Sequence, residues 1–253
     1  MSKASIHLEH FRGNEEFAKR IYDLIDLCTR RNRMIITPFF SPDQRVICER
    51  ICGNQIAYRM SEEYEGVERV RFAFLPYEED VIFPNVILKA TYASNFSTLT
   101  HRDVLGALMH IGIEREKMGD IIVNDHELYV IVDEEIENYM ICNVTKIKRT
   151  SVHFTRCEQI AQAKQELRYS HHIVSSLRLD VIVASLARVS RAKAQQMIVA
   201  GSIKVNHVVL EQTSFLCNNN STISIRGVGR FHFADVIKRT KKDHYVIDVG
   251  VYE

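Results

Sequence analysis

RLDVIVASLARVSRAKAQQMIVAGSIKVN, residues 178–206, predicts two short helices followed by a β-hairpin. Apolar residues recur at helical spacing along one stripe of the first helix, and polar residues occupy its other side. Ser190 is a good N-cap for the second helix, and Gly201 supplies the left-handed residue that ends it. The chain then alternates apolar and polar residues around Lys204 and turns at 206–207. The stretch therefore predicts a small helix-turn-helix backed by strands.

Basic side chains fall on the polar sides of both helices and continue into the strands that follow. Cationic groups fixed on short helices suit phosphate binding, because they release counterions without ordering a flexible tail. The predicted partner is therefore a nucleic acid. The candidate RNA-binding residues are Arg178, Asp180, Arg188, Ser190, Arg191, Lys193, Gln196, Lys204, Asn206, Arg226 and Arg230.

The same stretch resembles the S4 RNA-binding domain, which occurs in a ribosomal protein, in tyrosyl-tRNA synthetases and in pseudouridine synthases. The resemblance rests on Arg178-Leu179-Asp180, on Ser190-Arg191 and on the segment 201–206. There are two departures: His207 stands where the S4 pattern usually has Gly, and residues 218–221 replace its usual Gly-Asp turn. Asn tolerates a positive φ, so we expect both turns to form.

Length and composition indicate a globular protein of two or three domains, with 253 residues, 46% hydrophobic and 26% charged. The sequence has no apolar run long enough to span a membrane, and its N-terminus lacks the apolar core of a signal peptide. We therefore expect a cytoplasmic monomer that does not contact membranes. Residues 176–253 carry 11 Lys and Arg against 6 Asp and Glu, whereas residues 1–175 carry 22 against 26. The basic character thus belongs to the C-terminal module.

Residues 1–78 are predicted to form an N-terminal α/β domain. Helical spacing covers 14–31, and TPFFSPDQ at 37–44 begins a second helix in which Ser41 caps and Pro42 fits the first turn. Strand-like runs lie at 34–36, 55–60 and 69–75.

Residues 79–160 are predicted to form a ferredoxin-like, RRM-like plait with the order β-α-β-β-α-β. Strand-like runs lie at 86–92, 120–123, 128–132 and 151–154, one helix is capped by Thr100, and a second begins at Asp133. The region lacks the aromatic-rich RNP1 signature, so base stacking on its sheet is not predicted. Its basic edge supplies secondary RNA-binding candidates, Lys146, Lys148 and Arg149.

Residues 161–173 are predicted to be a linker, which overlaps a polar, helix-compatible stretch at 159–169. Residues 174–253 are predicted to be an S4 domain with a C-terminal β extension. Strands are expected at 222–226, 231–233 and 245–251, and the last two are joined by a basic segment that supplies further secondary candidates, Lys241 and Lys242. The predicted fold class is therefore α+β, with three small domains.

Taken along its length, the chain resembles the bacterial YlmH family of S4-domain proteins. The segments that carry this resemblance are TPFFSPDQ (37–44), EGVERVR (65–71), HRDVLGALMHIGIEREKMGDI (101–121), VSSLRLD (174–180), RGVGRF (226–231) and TKK (240–242). The family is encoded near cell-division genes in Gram-positive bacteria and is similar in role to the small S4 protein RqcP. The resemblance implies binding to ribosomal RNA and tRNA on the large ribosomal subunit, in rescue of stalled translation products.

Two other functions remain open from the residues alone. An S4-targeted RNA-modifying enzyme would need a catalytic site, but the only Gly-x-Gly, at 227–229, leads into no helix, and the histidines have no nucleophile or carboxylate at catalytic spacing. Cys48 and Cys52 stand four apart without a second pair at ligand spacing. We therefore expect no enzyme activity, no cofactor and no metal, and the six cysteines as reduced, buried thiols. A cell-division interaction protein would rest on the acidic N-terminal region.

Arg178 and Arg191 are the residues most expected to contact RNA. Both lie at the start of a helix, where the helix dipole disfavours a cation. An ion pair between Arg178 and Asp180 is not expected, since residues two apart in a helix point in different directions. We expect both arginines to be exposed and to share a phosphate with the free N–H groups of both helix N-termini.

Overall fold

A computed structural model describes residues 11, 13–53, 55–64, 66–92, 98–160 and 167–252 of the chain. The chain divides into two compact units, Met1–Ala163 and Lys164–Glu253. None of the helices in the described ranges is both long and apolar enough to cross a membrane.

The first part of unit 1 is a small α/β layer. Its elements are α1 (Glu15–Arg31), β1 (Ile35–Ile36), α2 (Pro42–Cys52), β2 (Ala57–Met60) and β3 (Phe72–Leu75), and the antiparallel sheet has the order β1-β3-β2. The predicted start of α2 is confirmed: Ser41 is the N-cap, Pro42 occupies the first turn, and the Gln44 side chain accepts a hydrogen bond from the Ser41 N–H. Both helices pack on the sheet through a buried apolar cluster.

The second part of unit 1 is the predicted plait. Its elements are β4 (Asn85–Thr91), α3 (His101–His110), β5 (Met118–Val123), β6 (Glu127–Asp133), α4 (Glu137–Asn143), β7 (Lys146–Ile147), β8 (Thr150–Ser151) and β9 (His153–Cys157). The four-stranded sheet has the order β5-β6-β4-β9 with antiparallel neighbours, as the β-α-β-β-α-β pattern requires. Thr100 caps α3 through the Asp103 N–H, as predicted.

Two boundaries in the plait differ from the prediction. Asp133 ends β6 instead of beginning a helix, and one 3₁₀ turn separates it from α4. Residues 146–151 form a two-stranded hairpin that turns at Lys148, where φ is 54°. That hairpin takes up the start of the expected fourth strand, so β9 begins two residues later, at His153.

A buried polar network joins the two parts of unit 1. The Arg69 guanidinium donates to the carbonyls of Phe39, Arg115 and Met118 at 3.0–3.1 Å. The Asp120 carboxylate accepts from Tyr64 Oη at 2.6 Å and from the N–H groups of Glu68 and Arg69. Burial raises the pKa of Asp120. Because these groups satisfy one another away from water, the α/β layer and the plait are tied by specific hydrogen bonds.

Unit 2 places two helices against one face of a six-stranded sheet. Its elements are β10 (Arg168–Val174), α5 (Leu179–Ala187), α6 (Arg191–Val199), β11 (Ile203–Val205), β12 (Val208–Val209), β13 (Ser221–Ile225), β14 (Gly229–Arg239) and β15 (Tyr245–Val251). The sheet has the order β10-β15-β14-β13-β11-β12, with antiparallel neighbours. Apolar residues of α5 and α6 and every second residue of the central strands form its core.

The predicted linker is partly wrong. Residues 168–173 are not a linker but most of β10, which pairs along its whole length with β15. The remainder of the predicted linker, apart from Leu167, lies outside the described residues.

Four of the six cysteines are buried, whereas Cys142 is exposed and Cys157 half-buried, so the expectation of buried thiols fails for these two. The Sγ atoms of Cys48 and Cys52 lie 3.9 Å apart, and burial raises the pKa of the Cys48 thiol. Within the described ranges, His, Cys, Asp and Glu do not gather in groups of three or more that could hold a metal ion.

Candidate RNA interface

The candidate interface is built around Asp180, in the first turn of α5. This residue has no accessible surface, yet its carboxylate is ionised and surrounded by donors. Arg178 donates to it through Nε (3.1 Å) and Nη2 (3.2 Å), and Arg191 through Nε (2.9 Å). The Gln195 Nε2 atom completes the set at 2.8 Å. One buried carboxylate therefore holds two guanidinium groups from two helices in fixed positions.

The protonation of Asp180 follows from these contacts. Burial alone would raise the pKa of Asp180, but the hydrogen bonds from Arg178, Gln195 and Arg191 outweigh it and hold the pKa at about 2. The carboxylate is thus charged throughout the physiological range. Its ion pair with Arg178 corrects the expectation that these two residues point apart. That expectation treated Arg178 as helical, whereas it is the extended N-cap residue, with φ −66° and ψ 142°.

The prediction that Asp180 contacts RNA directly is not supported by its position in the structure. A carboxylate without accessible surface, engaged by four donor atoms, does not touch a phosphate. Its role is to position Arg178 and Arg191, whose side chains keep 34% and 53% of their surface exposed. Gln195 is absent from the predicted set, although it donates to the same carboxylate. Its position one helical turn after Arg191 is the signal that places it on the same side of α6.

The prediction that free N–H groups at both helix N-termini bind a phosphate is wrong for α5. The N–H groups of Leu179 and Asp180 already donate to the carbonyls of Phe215 (2.8 Å) and Thr213 (3.2 Å). The segment that precedes β13 therefore covers this helix end. On α6, the Ser190 side chain accepts from the Lys193 N–H at 3.2 Å, so Ser190 caps the helix as predicted.

Three more predicted residues lie on the helices with exposed side chains: Arg188, Lys193 and Gln196. Arg188 ends α5 in the left-handed conformation, with φ 53°, and so makes the tight turn into α6. Burial, and then the nearby Arg188 charge, lower the pKa of His172 on β10. Arg188 thus lies at the opposite end of α5 from Arg178, and Lys193 shares the first turn of α6 with Arg191.

The predicted residues on the strands do not join this cluster. Ile203 and Val205 point into the core under the helices, so Lys204 between them points to the other face of the sheet. Arg230, next to the buried Phe231, lies on that other face too. Asn206 has a structural role, since its Oδ1 accepts from the Thr222 N–H at 2.8 Å. Strand alternation therefore splits the predicted set between two surfaces. The remaining candidates of unit 2 are exposed in turns: Arg226, Lys241 and Lys242.

The secondary candidates in the plait differ from one another. Lys146 and Arg149 are exposed. Lys148 forms an ion pair with Asp103 Oδ2 at 2.7 Å, and this hydrogen bond lowers the pKa of Asp103. Lys148 therefore stabilises the start of α3, which weakens its case as an RNA ligand.

The fold and the arginine cluster define an RNA-binding protein of the S4 class. Residues 177–223 match the sequence profile of the S4 domain, and residues 76–161 match the profile described as "Putative RNA-binding domain in YlmH". The chain is 31% identical over 246 residues to the "Ribosome-associated protein quality control protein P2" of Bacillus subtilis (strain 168), covering 94% of this chain and 95% of that protein. This chain therefore belongs to the YlmH family of S4-domain RNA-binding proteins.

A solved structure shares part of the fold. The "Cell division protein ylmH from Streptococcus pneumoniae" superimposes with a TM-score of 0.50 and 23% identity, covering 62% of this chain and 94% of that one. At this identity the likeness concerns the fold alone.

Proposed function

We propose that this chain is a non-enzymatic, ribosome-associated RNA-binding protein. Its helical face binds structured RNA on the large ribosomal subunit, ribosomal RNA together with tRNA, in quality control of stalled translation. The observation that carries the proposal is the pair of guanidinium groups fixed by the buried Asp180 carboxylate. Arginines held in place lose little side-chain entropy when they meet a phosphate, so the cluster is preorganised for a charged backbone.

The ribosomal part of the proposal is supported by the relative from Bacillus subtilis, whose name describes it as ribosome-associated. The basic balance of residues 176–253 adds to this, because RNA is the abundant polyanion of that particle. No specific observation favours an RNA-modifying enzyme or a cell-division partner. We expect that RNA incubated with the protein and a methyl donor gains no modified nucleoside by mass spectrometry.

The proposal is tested with Arg191→Ala combined with Lys193→Ala. Both side chains are exposed on the first turn of α6, and the Arg178 charge and the Gln195 hydrogen bond remain on the Asp180 carboxylate. Cosedimentation with purified large subunits should fall about 10-fold or more, the loss expected for two charge-assisted phosphate contacts. The variant should still fold, but its thermal melt should lie a few degrees below that of the wild type, because the buried Asp180 carboxylate loses one charged donor. Cosedimentation is therefore measured well below the melting temperature of the variant.

The matched control is Lys19→Ala combined with Arg59→Ala, which removes two exposed cations from unit 1. Its affinity for large subunits should stay within about twofold of the wild type, since neither residue lies on the S4 helices. If both variants lose the same affinity for large subunits, the effect reflects general charge alone. If the Arg191/Lys193 variant keeps the wild-type affinity, the RNA site lies elsewhere.

A further inference from the structure

The sheet of unit 2 has a second face, opposite its two helices. Two rows of side chains cross this face where strands lie in register. The first row runs Lys204, Ser224, Arg230 across β11, β13 and β14, and Tyr252 extends it, because its N–H donates to the Arg230 carbonyl at 3.1 Å. The second row runs Thr222, His232, Gly250, Tyr169 across β13, β14, β15 and β10.

Aromatic rings on these rows could stack with the bases of a bound nucleic acid. The Arg230 guanidinium lies over the Tyr252 ring, 4.6 Å from its centre, so that a cation is stacked on an aromatic ring. Tyr169 is 54% exposed and its ring lies over Gly250. A Cβ at Gly250 would come within 3.2 Å of Tyr169 Cε1 and 2.9 Å of Leu167 Cβ, so glycine is what lets that ring settle on the sheet.

The charge of the two rows is positive. They contain Lys204 and Arg230 and no acidic residue. The nearest carboxylate along β15, Asp248, belongs to the next row, where its Oδ1 lies 3.6 Å from His171 Nε2. Aromatic rings interleaved with cations on an open sheet suit the bases and backbone of an unpaired strand, because each base offers a stacking face while the phosphates meet the cations.

We propose that this face of the sheet is a second RNA surface, which binds unpaired nucleotides by stacking them on Tyr169, His232 and the Arg230–Tyr252 pair. The surface is distinct from the helical face, which presents fixed arginines to structured RNA. Its aromatic residues lie outside residues 177–223, the part matched by the S4 profile. A bound RNA would then be read at two places, a folded element on the helices and a single-stranded segment on the sheet.

The test measures binding of the full chain to a fluorescein-labelled RNA octanucleotide, and separately to a blunt RNA hairpin. Tyr169→Ala combined with His232→Ala should weaken octanucleotide binding about tenfold or more, the size expected from loss of one or more stacked bases. Hairpin binding should stay within about twofold. The Arg191/Lys193 variant should give the opposite pattern. Tyr169→Phe combined with His232→Phe keeps both rings and should retain octanucleotide binding.

The matched control is Tyr77→Ala combined with His153→Ala, which removes one exposed Tyr and one exposed His from unit 1. Photocrosslinking with a 5-bromouridine octanucleotide should give adducts on Tyr169, His232 or Tyr252. The proposal is overturned if the octanucleotide does not bind, if the alanine pair leaves its affinity unchanged, or if every adduct maps to α5, α6 or unit 1. If the full chain binds the octanucleotide but not the hairpin, the result contradicts RNA binding by the helical face and still supports RNA binding by the sheet surface.

Discussion

Asp180 shows how one residue links the stability of unit 2 to its RNA interface. The carboxylate is fully buried, so it is retained only because Arg178, Arg191 and Gln195 surround it. Removing a partner from such a group leaves an uncompensated buried charge, which costs more than a surface ion pair contributes. Alanine at both arginines would therefore destabilise the fold as well as weaken RNA binding.

We predict that Asp180→Asn lowers the unfolding free energy at pH 7 by about 2 kcal/mol. This magnitude follows from the pKa of Asp180, which folding lowers from 3.8 to about 2. Because the pKa of Asp180 is lower in the folded protein, the ionised carboxylate stabilises the fold fully above about pH 4, and this stabilisation is lost as the pH falls towards 2. The gap between wild type and variant should therefore close over that window in urea unfolding curves. RNA affinity should fall too, because the arginines lose their anchor.

Asp243→Asn is the control for this experiment, because Asp243 pairs with Arg239 on the surface, where both side chains are more than half exposed. An exposed pair contributes little, so its variant should unfold within about 0.5 kcal/mol of wild type. A constant gap between wild type and Asp180→Asn from pH 7 to pH 2 would contradict the charged, buried carboxylate.

At the scale of elements, the hairpin β11–β12 depends on two consecutive left-handed residues. Asn206 has φ 47° and His207 φ 69°, which is the backbone of a tight two-residue turn. Asn206 compensates for its conformation with the hydrogen bond that it accepts from the Thr222 N–H. His207 carries a Cβ atom, and for such a residue the left-handed conformation costs about 1 kcal/mol of stability.

We predict that His207→Gly raises the unfolding free energy of unit 2 by up to about 1 kcal/mol, because it relieves the left-handed backbone. The entropy that glycine adds to the unfolded chain and the loss of the interactions that His207 makes both reduce this gain. Thermal unfolding of the two proteins measures the difference. Asn206→Gly is the matched variant: it relieves the same strain but loses the bond to Thr222, so it should stabilise less or destabilise. The prediction fails if His207→Gly melts lower than Asn206→Gly.

At the scale of the whole molecule, charge and structure divide at about the same place. The second compact unit, Lys164–Glu253, contains the basic 176–253 region, and the first contains most of the acidic excess. Strand β10 belongs to the second unit because it pairs with β15 at seven positions. The unit proposed to bind RNA therefore includes the whole of β10, from Arg168 onward.

We predict that a fragment of residues 164–253 folds and binds structured RNA, with affinity falling by about 0.7–0.9 log unit per log unit of salt for each phosphate neutralised. A fragment of residues 174–253 lacks most of β10, so β15 becomes an unprotected edge. It should melt at least about 4–8 °C lower, as for a loss of about 1 kcal/mol in a domain of this size. Circular dichroism and filter binding measure both properties.

Residues 1–163 are the control fragment and should bind the same RNA more weakly at every salt concentration. Equal binding by the two fragments, or binding that does not respond to salt, would contradict an RNA interface centred on unit 2.

The sequence by itself determined the features that depend on neighbouring residues. The caps at Ser41, Thr100 and Ser190, the order of the plait and the turn at 206–207 all follow from propensity and periodicity within a few positions. The family resemblance was likewise carried by short motifs and is confirmed.

Only the tertiary structure decided what joins distant parts of the chain. Residues 168–173 of strand β10 were predicted to be a linker, because only β15, more than 70 residues later, supplies their hydrogen-bond partners. Asp180 looks like a surface acid until Arg191 and Gln195 arrive from the next helix. Lys204 and Arg230 look like part of one basic cluster until strand pairing turns them away from the helices. In each case the deciding free energy comes from contacts that form only when the chain folds back on itself, and local patterns do not encode those contacts.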